Sequence, residues 1–120
     1  MSENEGPIEL PAPSGCMLWK DPAAARKRFA EMLEAVETYD DDSHLTRTLY
    51  RCRECGQLYF HEWYEWVDWD RGNDKQYSTM LPVQTAEQIA ALKATNIFEL
   101  LRYVPRLQWD RGIPEWVGRD

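Results

Sequence analysis

The feature that most constrains this chain is the segment from Leu49 to Phe60, in which Cys52 and Cys55 precede Gly56. The residues on either side are rich in Thr, Leu and aromatic side chains, which is typical of two strands joined by a turn. A Cys-x-x-Cys-Gly turn between strands has the form of a zinc knuckle, where two thiolates point at one metal ion. The sequence therefore predicts an antiparallel hairpin with a candidate metal site at its turn.

A structural zinc site takes four ligands, usually thiolate sulfur or imidazole nitrogen. The chain has three cysteines and two histidines, so the candidates are few. The metal ligands that we predict are Cys16, His44, Cys52 and Cys55, a Cys₃His set. His61 could replace His44, but it lies six residues along the outgoing strand. At a rise of about 3.3 Å per residue, its side chain should lie well away from the turn.

The cysteines also allow two interpretations without a metal. They could be ordinary reduced thiols, with Cys16 as a small buried apolar side chain, and this alternative to a zinc site stays open. A redox-active dithiol is disfavoured, because such motifs lie at a helix N-terminus and no helical pattern follows Cys55. The odd count of three cysteines is a poor basis for a disulfide scaffold, which favours a reducing, cytoplasmic location.

The apolar pattern predicts a single globular α+β domain over residues 16–120, preceded by a flexible or draped arm over residues 1–15. A helix is expected to begin at Asp21-Pro22 and to end near Tyr39, because a capping residue and an N-terminal proline open an apolar helical face. The side chains expected to bury between this helix and the strands are Phe29, Met32, Leu33, Val36, Leu100 and Leu101.

After this helix, the pattern changes to one typical of strands. Three strands are expected to form an antiparallel meander, over residues 45–52, 58–69 and 77–83. Two short C-terminal helices should follow, because Thr85 with Gln88 forms a capping box and Asn96 can cap a second helix. The apolar residues of the C-terminal tail indicate that it packs on the body.

The net charge of −7 limits the partners of this chain. An acidic surface is repelled by nucleic-acid phosphates and by anionic lipid, so direct nucleic-acid or membrane binding is disfavoured and a basic protein partner is favoured. No apolar run approaches the roughly 20 residues that cross a bilayer. The sequence also lacks a Gly-x-Ser-x-Gly turn, a phosphate-binding glycine loop and a His-Glu-x-x-His motif, which disfavours an enzyme.

The strand after the knuckle combines large aromatic side chains with carboxylates, which is typical of interface anchors. The alternative is that a second layer, formed by the arm or the tail, covers these aromatics. Hairpin pairing also places Glu62 opposite Arg47, where a cross-strand ion pair is expected. The candidate partner-binding residues are Glu62, Trp63, Glu65, Trp66, Asp68, Trp69 and Asp70.

The stretch from His44 to Trp69 resembles a group of small, uncharacterised bacterial proteins with a Cys-x-x-Cys-Gly-Gln-Leu-Tyr turn. The small, acidic and aromatic format of the chain is similar to that of bacterial toxin-immunity proteins, which bind and block a cognate toxin and have no chemistry of their own. The resemblance covers about a fifth of the chain and assigns no residue a role.

These observations favour a non-enzymatic cytoplasmic protein-binding domain, of the kind that inhibits a basic toxin. The alternative is a zinc-ribbon-like adaptor in a nucleic-acid-associated complex, because zinc ribbons often bind nucleic acid and Arg51 and Arg53 flank Cys52. An enzyme of unknown class ranks third. The expected cofactor is a structural zinc ion or none.

Overall fold

The computed structural model describes residues 6–66, 70–72, 75–110 and 112–119. Within these residues, eight strands and five short helices follow one another. The strands are β1 (Ile8–Glu9), β2 (Leu33–Asp42), β3 (Leu45–Cys52), β4 (Leu58–Trp66), β5 (Lys75–Val83), β6 (Tyr103–Val104), β7 (Arg106–Trp109) and β8 (Glu115–Val117). The helices are α1 (Met17–Lys20), α2 (Ala24–Lys27), α3 (Phe29–Met32), α4 (Ala86–Lys93) and α5 (Ile97–Leu100).

One antiparallel sheet of six strands dominates the fold, in the order β2-β3-β4-β5-β7-β8. A second, two-stranded sheet pairs β1 in parallel with β6. The predicted α+β fold, with an N-terminal helix before a three-stranded meander, is therefore wrong. Strands β3, β4 and β5 are adjacent and antiparallel, but further strands extend this group on both sides.

The long helix predicted to end near Tyr39 is replaced by two four-residue helices, α2 and α3, followed by strand β2. A short apolar run fits a strand as well as a helix, and Val36, Thr38 and Tyr39 are residue types that favour strands. β2 pairs with β3 along its whole length. This pairing supplies hydrogen bonds for the outer edge of β3 and outweighs the helical spacing of the apolar residues.

The C-terminal half shows how local signals and tertiary pairing combine. Both predicted helix caps are present: Thr85 forms a capping box with Gln88, and Asn96 forms one with Glu99. The helix after Asn96 is only four residues long, because the chain then turns into strands β6 to β8. The C-terminal tail therefore packs on the body as β7 and β8, which extend the sheet beyond β5.

Each face of the large sheet packs against a separate cluster of buried side chains. On one face, Tyr59 of β4 and Met80 of β5 pack with residues from helices α1 to α3. On the other face, Phe60 and Leu81 pack with residues from α4 and α5. Since neighbouring residues of a strand point to opposite faces, the first aromatic residues of β4 are divided between two buried layers.

The predicted cross-strand pair of Arg47 and Glu62 is confirmed and is buried. The Arg47 Nη2 atom lies 2.8 Å from a carboxylate oxygen of Glu62, and the two side chains are 4% and 5% exposed. Arg47 also donates to the carbonyl oxygens of Leu92 and Thr95, at the C-terminal end of α4. The pair thus joins the centre of the sheet to the helix that covers it.

The predicted core is only partly correct. Met32 and Leu33 are buried in one cluster, with Phe29 partly buried against them, whereas Leu100 is buried in the cluster on the other face of the sheet. Val36 and Leu101, in contrast, are 47% and 39% exposed. Val36 lies next to a register shift in β2, and Leu101 lies just beyond the end of α5, so neither follows the helical spacing that predicted its burial.

The contrast between Leu33 and Val36 gives a test of this correction. Leu33→Ala removes buried methyl groups at the start of β2 and is expected to lower the free energy of unfolding by about 2–5 kcal/mol. Val36→Ala removes exposed methyl groups and is expected to change it by less than about 0.5 kcal/mol. Urea unfolding measures both; equal costs for the two variants would mean that β2 is placed incorrectly.

Candidate functional site

The three cysteines of the chain come together in the structure. Cys16 immediately precedes α1, Cys52 ends β3, and Cys55 lies in the turn between β3 and β4. Their sulfur atoms all lie within 4.8 Å of one another. Tetrahedral zinc with bonds of about 2.3 Å requires sulfur atoms about 3.8 Å apart. The cluster therefore needs to contract by at most about 1 Å to bind a metal ion.

The backbone of the turn has the geometry that a thiolate metal site needs. The Gly56 amide donates to the carbonyl of Cys52 at 2.9 Å, and Gly56 has a φ of 83°, a conformation that favours glycine. The amides of Glu54 and Cys55 donate to the Cys52 sulfur. Burial is the largest single effect and would raise the pKa of Cys52, but the two amide bonds together with hydrogen bonds to the Cys55 and Cys16 side chains lower this pKa overall. The turn thus stabilises a thiolate at Cys52.

Cys16 and Tyr59 form the buried side of the cluster. Burial raises the pKa of the Cys16 thiol to about 12, and burial beside Cys16 also raises the pKa of Tyr59. The Tyr59 hydroxyl has no hydrogen-bond partner at ordinary distance and angle, although it adjoins the Cys16 side chain. A metal-bound thiolate at Cys16 would accept a hydrogen bond from this donor. The cluster therefore fits a thiolate-bound metal.

His44, the predicted histidine ligand, is not brought to the three cysteines. It lies in the turn before β3, at the opposite end of that strand from Cys52. Its side chain is 49% exposed, and its Nδ1 atom lies 3.1 Å from a carboxylate oxygen of Glu65. His44 lies eight residues before Cys52. At a strand rise of about 3.3 Å per residue, it is therefore far from the Cys52–Cys55 turn, as His61 is on the other strand. Among the residues that the structure describes, the metal-binding group consists of the three thiols.

His61, the alternative ligand, is buried in the core instead. Its ring stacks on Trp109 with a centroid separation of 6.1 Å and meets Phe29 and Tyr50 at an angle. Its Nε2 atom has no hydrogen-bond partner. Burial lowers the pKa of His61 to about 4, so the ring is neutral at physiological pH.

The buried His61 predicts a dependence of stability on pH. In the unfolded chain histidine titrates near about 6.5, so between pH 6.5 and 4 the unfolded state binds a proton that the folded state does not. Stability from this residue is complete above pH 6.5 and falls by about 3 kcal/mol as the pH drops to 4. Urea unfolding of His61→Leu should lack this loss, whereas His44→Gln should retain it. If the free energy of unfolding of His61→Leu depends on pH as steeply as that of the unmodified protein, the loss does not arise from His61.

A groove of about 500 Å³ opens beside the cysteine cluster. Its walls are formed by residues 12–16, by residues 55–58 of the turn and by residues 83–84 at the end of β5. Cys16 and Cys55 line the groove, while Cys52 is 1% exposed within the core. Cys16 is also buried, so solvent reaches the cluster through the exposed Cys55.

The predicted partner-binding residues differ in their placement. Glu62 is buried in its pair with Arg47 and is not available to a partner, so this assignment is corrected. Trp63 and Glu65 are half-buried, whereas Trp66 is 57% exposed and Asp70 is exposed. The predicted sites at Asp68 and Trp69 lie outside the described residues.

Carboxylates of β2, of β4 and of the turn after β4 lie at the end of the sheet farthest from the cysteines. Asp42 is level with Tyr64 and Tyr77 across the strands, and Tyr77 is 40% exposed. The acidic run Asp40 to Asp42 follows the helix that was predicted to end near Tyr39, and strand register was the missing signal that assigns it to this surface. We define the acidic end as Asp40, Asp41, Asp42, Glu65 and Asp70, with the exposed rings of Trp66 and Tyr77.

The longest helix in the described part of the chain is α4, with eight residues. No helix there has the length and apolar character needed to cross a membrane. Comparison with known proteins identifies no relative: no protein-family model, no curated protein and no solved structure matches the chain.

Proposed function

We propose that this chain is a non-enzymatic binding protein that contains a structural zinc ion and binds a basic protein through its acidic end. An immunity-type inhibitor of a basic toxin is the specific form of this function that we favour. The observation that supports partner binding is that the exposed carboxylates of β2 and of the turn at Asp70 lie at the same end of the sheet as the exposed rings of Trp66 and Tyr77. Such a surface attracts a basic partner and offers it apolar area to bury.

The proposed zinc ion is bound by the thiolates of Cys16, Cys52 and Cys55. Its effect would be to fix the segment before α1 to the β3–β4 turn. Helices α1 to α3 follow this segment and cover one face of the sheet, so the metal would hold that layer in place. Bound in this way, the metal contributes to folding, because the ligands are brought together only in the folded chain.

The acidic end supplies both the charge and the apolar area for binding. Asp40, Asp41 and Asp42 are three consecutive exposed residues at the end of β2. Trp66 projects from the end of β4, opposite Lys75, with 57% of its surface exposed. Exposed carboxylates speed association with a basic protein, while a large aromatic ring that becomes buried supplies much of the affinity.

Charge reversal at the acidic end is expected to slow binding. The Asp41→Lys, Asp70→Lys double variant changes the net charge from −7 to −3. The association rate at low salt should fall by about tenfold, and its dependence on salt should become weaker, because long-range attraction is lost. The partner is first isolated by co-purification, and rates are then measured at two salt concentrations with variants shown to be folded.

A matched control separates the surface from the overall charge. Glu9 on β1 and Glu87 on α4 are also exposed, and Glu9→Lys, Glu87→Lys gives the same net charge. The association rate of this control variant should fall much less than that of the acidic-end variant at each salt concentration. Equal decreases in the association rate of the two double variants, or no decrease in either, would contradict binding through the acidic end.

A further inference from the structure

The groove beside the three thiols leaves one side of the candidate metal site open. Cys16 and Cys55 line it, and each adjoins a glycine, Gly15 or Gly56, that has no side chain to close the opening. Among the described residues, the three thiols make up the whole group of clustered metal-binding side chains here. Zinc with three protein ligands retains a fourth position for a ligand from outside.

The charge of such a site indicates which ligand suits the fourth position. Zinc with three thiolates carries one net negative charge, in a chain whose own net charge is −7. An anionic fourth ligand would add to this negative charge. A neutral imidazole adds none, and it completes a Cys₃His set, one of the ordinary combinations for zinc.

The walls of the groove also suit an imidazole ring. A metal-bound imidazole usually donates its second N–H to an oxygen atom nearby. Ser14, Gln57 and Gln84 line the groove and carry side-chain oxygens that can accept such a bond. Leu58 and Val83 supply apolar contacts for the carbon atoms of the ring.

We propose that zinc bound by Cys16, Cys52 and Cys55 takes as its fourth ligand the imidazole of a histidine from another protein molecule. This inference rests on the proposed zinc site. Two sources share this chemistry: a different protein, or His44 of a second copy of this chain. His44 is half exposed, and Glu65 holds its Nδ1 atom, which leaves the other ring nitrogen available.

Cobalt substitution tests the fourth ligand directly. Co²⁺ replaces zinc in the purified full-length His44→Gln protein, in which no second copy can supply the imidazole of His44, and its thiolate charge-transfer and d–d absorption bands are recorded while free imidazole is added as the probe. We expect a saturable shift of the d–d bands with the charge-transfer bands retained. An unchanged d–d spectrum beside intact charge-transfer bands would overturn the imidazole ligand alone. Absence of charge-transfer bands would overturn the zinc site as well.

Two substitutions in the groove test whether the ligand enters through it. A side chain added at Gly15 meets no atom within 4 Å at its first carbon, so Gly15→Phe can fill the groove, and Gln84→Trp can narrow its exposed rim. Each should raise the apparent dissociation constant for imidazole at least about tenfold. Gly112→Phe, at an equally open position outside the groove, should not. Normal binding in both groove variants, with charge-transfer bands intact, would overturn entry by this route.

The source of the histidine follows from the association state of the zinc-loaded protein. Zinc-dependent self-association that is lost in His44→Gln would assign the ligand to a second copy of the chain. A protein that stays monomeric and still binds free imidazole would assign it to a different protein. Both results support an external imidazole; a monomer whose cobalt spectrum does not respond to imidazole contradicts it.

Discussion

Cys52→Ser is expected to lower the free energy of unfolding by on the order of 4 kcal/mol, an effect of the size seen when a structural metal is lost. Cys52 is 1% exposed and accepts two backbone amide hydrogen bonds. A serine hydroxyl binds zinc far more weakly than a thiolate does, so the variant should lose the metal. Urea unfolding of the two proteins, each purified without chelator, measures the difference.

Protein from which a chelator has removed the metal provides the control for this prediction. In metal-free protein, Cys52→Ser should cost only about 1–3 kcal/mol, the cost of placing a hydroxyl in the core. The difference between the costs with and without metal is the contribution of the thiolate to metal binding. Equal costs under the two conditions would show that Cys52 stabilises the fold as an ordinary buried thiol.

Glu62→Ala should produce the second large loss of stability, about 3–5 kcal/mol, because it leaves the charge of Arg47 buried without its partner. Both side chains are almost fully buried. The bonds from Arg47 to the carbonyls of Leu92 and Thr95 hold the guanidinium in place, so it cannot turn easily to solvent. Urea unfolding at neutral pH measures the loss.

Two further variants show whether the loss arises from the unpaired charge. Arg47→Met, Glu62→Leu replaces both partners with apolar side chains, and it should recover most of the stability because no buried charge remains. Glu65→Ala removes the carboxylate that pairs with His44 in a partly exposed position, and it should cost less than about 1 kcal/mol. If Glu62→Ala costs as little as Glu65→Ala, the pair is not buried as described.

The central hairpin was predictable because its signals are local. The strand-favouring residue types on both sides of Cys52 and Cys55 indicated two strands, and a tight turn fixes which residues face each other. The pairing of Arg47 with Glu62 followed from that register. The caps at Thr85 and Asn96 were predictable for the same reason, since each depends on residues within one helical turn.

Strand β2 was not predictable in this way, because its conformation depends on a distant partner. Its apolar residues fit a helix equally well, and two register shifts interrupt the alternation that would have identified a strand. Only pairing with β3 decides between the two structures. For the same reason, the sequence did not show that Asp40 and Asp42 of β2 lie at the same end of the sheet as Glu65 of β4, with β3 between the two strands.

The candidate metal site was predictable in part. Cys16 was predicted as a ligand because it is the one cysteine besides Cys52 and Cys55. The structure places it beside them. His44 was wrongly expected near them, because the length of β3 was not taken into account. An eight-residue strand separates its ends by roughly 25 Å. The groove could not be foreseen, since it arises where three distant segments meet.

Metal analysis of untagged protein purified without chelator shows whether the three thiols bind a structural ion. We expect close to one zinc ion per chain, and we expect a Cys52→Ser, Cys55→Ser variant prepared in parallel to contain none. Such a stoichiometry follows if the three clustered sulfurs form one thiolate site. Less than about 0.2 equivalents of any transition metal in the unmodified protein would contradict the account, because a structural ion that contributes to folding is retained during purification.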